Sequence, residues 1–121
     1  MPGIRFITFA CDKVEQLAEF WSVALGGTRR ELPESLEPEI VDLPGDGPDL
    51  LFKEQPKGTE RDLPIHLDVS TENRRETVEQ LCNIGGSVRE TKTEEYETHT
   101  ATWTVMSDPE GNGFCVSEYQ Q

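Results

Sequence analysis

The chain has 121 residues, 11 Lys+Arg against 24 Asp+Glu, and a formal net charge of −13. This length suits one domain, or two small modules sharing a core. Nucleic acid and anionic membrane surfaces both need a cationic face, so this charge balance argues against either as a partner. Cys11, Cys82 and Cys115 form an odd, widely spaced set with no CxxC, the pattern of reduced thiols in a cytoplasmic protein. The opening MPGIRFITFACDKVEQ has charges within its apolar run and no small-residue cleavage site, so no signal peptide is expected. No apolar run approaches the roughly 18 residues of a membrane span.

Residues 4–11, IRFITFAC, are β-branched and aromatic and read as a strand. Asp12 with Glu15 resembles a capping box and predicts a helix from Lys13. Val14, Leu17, Ala18, Trp21 and Leu25 recur at helical spacing, and Gly26-Gly27 ends the run. Short strands are expected at Thr28–Glu31 and Glu39–Leu43, then a PGDGP turn at 44–48 and a strand over Asp49–Glu54. Residues 56–63 read as a linker.

The pattern then repeats. PIHLDV at 64–69 alternates apolar and polar residues, as a strand does. Ser70 or Thr71 is placed to cap a helix over 72–84, with Val78, Leu81 and Ile84 as its stripe and Gly85-Gly86 as its stop. Strands follow at 87–92 and 97–106, joined near Glu94-Glu95. A turn cluster, DPEGNG, spans 108–113, and a final strand covers Phe114–Tyr119. A uniform offset brings Phe6 onto His66, Phe9 onto Val69 and Trp21 onto Leu81, and the double glycines agree within one position. Each half reads strand, helix, strand, strand, strand.

Two βαβββ modules of this size resemble the vicinal oxygen chelate superfamily, which includes glyoxalase I, extradiol dioxygenases and bleomycin-resistance proteins. The stretches that carry the likeness are ITFACDKVEQLAEFWSVALGG, PIHLDV and, most specific, SDPEGNGFCV at 107–116. The resemblance implies one glyoxalase-like α+β domain over 1–121, with module one at 3–55 and module two at 64–121. It implies a cupped mixed β-sheet with helices outside, and a homodimer that covers the open edges.

Strand alternation directs Ile65, Leu67 and Val69 toward the second helix, and His66, Asp68 and Ser70 to the other face. By the repeat, Phe6, Thr8 and Ala10 share that face in the first strand, and Cys115, Ser117 and Tyr119 do so in the last. The fourth strand offers either Phe52 or Lys53 there. Trp103 lies on a strand whose alternate residues are threonines, and on that wall it could stack on a planar ligand. Candidate pocket residues are therefore Phe6, Thr8, Phe52, Lys53, His66, Asp68, Trp103, Cys115 and Ser117.

His66 matches the superfamily's metal-binding histidine. Phe6 stands where module one usually supplies a ligand, and Cys115 where the last strand supplies Glu. His66 and Cys115 then remain as residual metal donors, too few for a firm site, so no metal or other cofactor is expected. Asp68 beside His66 could orient the imidazole as a general base, which makes the pair the catalytic candidates. The expected function is metal-free binding of a small organic molecule. The alternatives are a metal-dependent lyase or dioxygenase, and a non-catalytic interaction domain.

Overall fold

The computed structural model describes residues 3–33, 38–55 and 64–120. The 56–63 linker lies outside them. Backbone contacts divide the chain into two units. One is Arg5–His66, and the other takes in Leu67–Gln121 with the first residues of the opening strand. The division falls inside a continuous strand, between the bonded residues His66 and Leu67. Each unit has one helix and four principal strands, which establishes the α+β class and the two βαβββ modules.

In the first unit, β1 (Gly3–Cys11) leads to α1 (Val14–Leu25), then β2 (Thr28–Arg29), β3 (Glu39–Asp42) and β4 (Asp49–Glu54). The strands lie in the order β2-β3-β4-β1, with β1 parallel to β4 and the other neighbours antiparallel. Phe9 sits opposite Phe52 in the β1–β4 register, so both point to one face. There the Phe9 ring stacks on Phe52 at 5.2 Å and tilts against Trp21 at 5.9 Å. Cys11, Ala18, Val41, Leu50 and Phe52 form the buried centre of this core, and Ile7, Val14, Leu17 and Leu43 pack around it. The expected seat of Ile7 and Phe9 beneath the first helix is thus observed.

Two local features differ from the sequence reading or sharpen it. The helix begins one residue late, with Lys13 as N-cap and no side-chain cap bond, so Asp12 falls outside the capping position. At the other end Gly26 adopts φ 65°, and the Gly27 N–H donates to Ser22 O at 2.8 Å. A Cβ on Gly27 would lie 2.7 Å from Val41 Cγ1 and 2.9 Å from Asp42 O. Gly27→Ala is therefore expected to cost about 1–3 kcal/mol by overpacking, measured as a lowered urea midpoint at unchanged slope. Gly26 has open space around it, so Gly26→Asn should cost much less.

The second unit takes in β5 (Ile65–Ser70) from Leu67 onward, then α2 (Arg74–Cys82), β6 (Ser87–Glu95), β7 (Thr100–Ser107) and β8 (Gly113–Gln120). Their order is β5-β8-β7-β6, with β5 parallel to β8. The helix cap is Asn73, not Ser70 or Thr71. Its Oδ1 accepts the Glu76 N–H at 3.2 Å, and its Nδ2 donates to Glu76 Oε2 at 3.0 Å. Ser70 is still strand, and Thr71 Oγ1 pairs with Thr77 Oγ1 at 3.1 Å. Helix α2 packs on β8, β6 and β7, above the fully buried Met106 and Val116.

This placement corrects the expectation for β5. Ile65 is 62% exposed and Leu67 43%, and only Val69 is partly covered. A nine-residue helix is only about 14 Å long, and this one lies over the other three strands. Ile84 follows the helix end and is also exposed.

Candidate functional site

Registers in the second unit fix which side chains share a face. Asp68 is opposite Cys115, and Ser70 opposite Ser117, across the parallel β5–β8 pair. Across β8–β7, Cys115 meets Val105, Ser117 meets Trp103 and Tyr119 meets Ala101. With a period of two, one face therefore carries His66, Asp68, Cys115, Ser117, Tyr119, Trp103 and Val105. The other face belongs to α2. There Arg74 Nη1 donates to Thr104 Oγ1 at 2.8 Å, and the Arg74 backbone N–H donates to Glu118 Oε1 at 3.1 Å.

The face away from α2 is polar yet covered. Asp68 is 8% exposed, and Cys115 and Ser117 are each 4% exposed. Trp103 and His66 are half-buried. One donor atom each from His66, Asp68 and Cys115 lies within 4.8 Å of the other two. Sequence reading had taken Asp68 only as a partner for His66. The Asp68–Cys115 register makes it a third donor.

The superfamily likeness implies a divalent metal, and the donors test that implication. One imidazole nitrogen, one carboxylate oxygen and one thiol sulfur do not make the oxygen-rich shell that magnesium or calcium prefers. They suit a thiophilic ion, and three protein ligands with an open fourth position is the count of a catalytic zinc site. His66, Asp68 and Cys115 would hold such an ion. Asp68 thus adds a third possible donor to the two counted from the sequence.

Residues expected from the first module divide. Phe6 and Thr8 are buried on the β1 face turned from α1, and Lys53 shares that side but is exposed. Phe52 is removed from the pocket set, because its pairing with Phe9 puts it in the α1 core, fully buried.

Farther along the second-unit face, the Tyr96 and His99 rings stack at 4.8 Å, and His99 tilts against Tyr119 at 6.1 Å. The Tyr96 N–H donates to His99 O at 2.8 Å, which holds the two rings together across the turn. Burial and donation to Glu94 Oε2 push the Tyr96 phenol up to about 12. A raised folded value means stability that is complete below the unfolded value near 10 and is lost as pH rises toward 12. Tyr96→Phe should therefore remove the phenolate absorbance that rises near pH 12.

A family model described as the glyoxalase-like domain matches residues 6–117. The chain belongs to the glyoxalase-like domain family. Its DPEGN turn is built as in the sequence reading, with Asp108 Oδ1 accepting the N–H groups of Glu110 and Asn112, both at 2.9 Å. Among solved structures, this glyoxalase-like chain is similar to a glyoxalase/bleomycin resistance/dioxygenase superfamily member from Vibrio splendidus 12B01. That match has TM-score 0.64 and 15% identity, and covers 98% of this chain and 99% of the other. It is also similar to methylmalonyl-CoA epimerase from Mycobacterium tuberculosis, with TM-score 0.65, 10% identity and coverage of 96% and 87%. A Streptomyces coelicolor methylmalonyl-CoA epimerase variant in complex with 2-nitronate-propionyl-CoA gives TM-score 0.63, 15% identity and 96% coverage of both chains. At these identities the likeness establishes the fold. No curated protein sequence matches the chain.

Proposed function

We propose that the protein binds a small planar organic molecule, neutral or cationic, against the face of β5, β8 and β7 turned from α2. The observation that carries this reading is the burial of Asp68, Cys115 and Ser117 on a sheet face with no helix of its own unit over it. A few polar side chains set beside an aromatic wall are the make-up of a small-molecule site. Trp103, opposite Ser117, supplies a flat apolar surface beside them.

Charge selects among ligands. Glu90 and Glu94 pair with Val105 and Ala101 and so lie on the same face, where Lys92 is bridged to Glu90 at 3.6 Å. With a chain charge of −13, this surface repels phosphate-bearing thioesters such as the ligand named for the Streptomyces epimerase. Isothermal calorimetry with 9-aminoacridine and with acetyl-CoA tests the reading. The acridine should bind in the micromolar range and acetyl-CoA should not. Trp103→Leu should weaken acridine binding about 5- to 50-fold, the equivalent of roughly 1–2 kcal/mol of stacking. Acetyl-CoA binding without acridine binding, or an equal loss in Trp21→Leu, would refute it.

Exposed Ile65 and Leu67 support pairing with a second copy. Sedimentation at micromolar concentration should then give about twice 13.6 kDa, against a single monomeric species if the reading is wrong.

A further inference from the structure

We infer that Glu94, Tyr96, His99 and Tyr119 form a subsite for a quaternary or tertiary alkylammonium group, at the end of the second-unit face where the β6–β7 hairpin closes. The inference deepens the proposed function and rests on its reading of that face, but it concerns the charged head of a ligand and not its planar part. Strand register builds the subsite. Glu94 is opposite Ala101 across β6–β7, and Ala101 is opposite Tyr119 across β7–β8, so the three form one row on one face. Two strand spacings, about 10 Å, separate the outer residues of that row. Only the methyl group of Ala101, 6% exposed, stands between them as a floor. The His99 ring closes the end of the row, 6.1 Å from Tyr119 and inclined to it by 51°, so the two planes open a wedge. The Tyr96 ring backs His99 at 4.8 Å and 25°.

The charge in this aromatic corner is fixed in place. The Tyr96 hydroxyl donates to Glu94 Oε2 at 3.0 Å and holds the carboxylate beside the rings. Because the phenol is pushed up to about 12, it keeps its proton and goes on donating across the neutral range. Among the described residues Glu94 forms no ion pair, and Lys92, two positions back on the same strand, is bridged to Glu90 at 3.6 Å. Glu95 and Glu97, both exposed, add to the negative potential at the hairpin end. Ring faces attract a cation through their quadrupole, and the carboxylate supplies the counter-charge. One carboxylate is too few oxygens for Ca²⁺ or Mg²⁺. A bulky, weakly hydrated alkylammonium needs no such shell, and its N-methyl groups lie against aromatic faces.

Titration with choline, followed by chemical shifts of the isotope-labelled full-length protein at constant ionic strength, is the test. Choline should bind saturably in the millimolar range and shift Glu94, Tyr96, His99 and Tyr119. Its neutral isostere 3,3-dimethylbutan-1-ol, with carbon in place of nitrogen, should bind at least about tenfold more weakly. Glu94→Gln and Tyr119→Leu should each weaken choline binding about fivefold or more, and Tyr96→Phe, which keeps the ring but releases the carboxylate, about two- to fivefold. Glu97→Gln removes the same charge nearby and should match the parent. Retained amide dispersion shows that each variant is folded. Equal affinity for the two probes, an equal loss in Glu97→Gln and Glu94→Gln, or no saturable shift at about 50 mM choline would overturn the subsite. Choline has no planar ring, so its titration does not depend on stacking against Trp103. Acridine binding without choline binding would overturn the subsite and leave the proposed function standing, and choline binding without acridine binding would do the reverse.

Discussion

Phe52→Ala is expected to lower the melting temperature by about 10–20 °C. Phe52 is fully buried, stacks on Phe9, and sits among Cys11, Ala18, Val41 and Leu50 beneath α1. Truncating a buried phenylalanine removes its transfer free energy and leaves a cavity that rigid neighbours fill only in part. The usual cost is roughly 3–5 kcal/mol, and in a domain of this size each kcal/mol moves the midpoint by a few degrees. Differential scanning calorimetry measures the shift directly. A change under about 3 °C would mean that Phe52 faces the pocket after all, where truncation leaves an open surface and not a cavity.

Val116→Asp should be more severe and should strike the other module. Val116 is fully buried on the α2 face of β8, opposite Thr104 and one residue from Cys115 on the reverse side. A carboxylate there has Met106 and the α2 packing around it, and the Arg74 guanidinium already donates from Nη1 to Thr104 Oγ1. Even a pair with the buried Arg74 Nε would not recover the desolvation of a second buried ion, which costs several kcal/mol, a large part of the whole stability of an ordinary domain. The expected result is loss of amide chemical-shift dispersion for residues of β5 to β8 at 25 °C. Val116→Ile, which keeps the apolar character, should retain the native spectrum with a modest packing penalty.

Several parts of the fold were legible because they depend on local period and chain chemistry. IRFITFAC and PIHLDV show strand composition directly, and the double glycine at 26–27 marks the end of the first helix, whereas the second stops at Cys82, short of Gly85-Gly86. The match between halves then gave the βαβββ order. Helix starts were harder. Asp12 and Ser70 are good capping residues, but the chain leaves its strand later than either, and Lys13 and Asn73 hold the cap positions. β6 runs through Glu95, beyond the expected 92. Its nine residues are all exposed at the end of the strand order, and such an edge carries no inward apolar alternation to read.

The site was legible in part. Alternation correctly separates His66 and Asp68 from Ile65 and Leu67, and Trp103 from its threonine neighbours. It does not show that α2 leaves Ile65 and Leu67 bare, because helix placement over a sheet is a tertiary outcome. Nor could it choose between Phe52 and Lys53, a choice that the pairing of Phe9 with Phe52 decides. Asp68 emerged as a donor only through its register with Cys115, 47 positions away, and no local pattern encodes a parallel pairing of that range.

The central claim is that the polar face of the second module is where a small molecule binds. Chemical-shift mapping with 9-aminoacridine on isotope-labelled protein tests it most directly. The account predicts saturable shifts at Asp68, Trp103, Cys115 and Ser117, including the Trp103 indole N–H, with Trp21 and the residues of α2 unmoved. Shifts centred on α1, on α2 or on the exposed Ile65 and Leu67 side of β5, with the Trp103 indole unchanged, would contradict it.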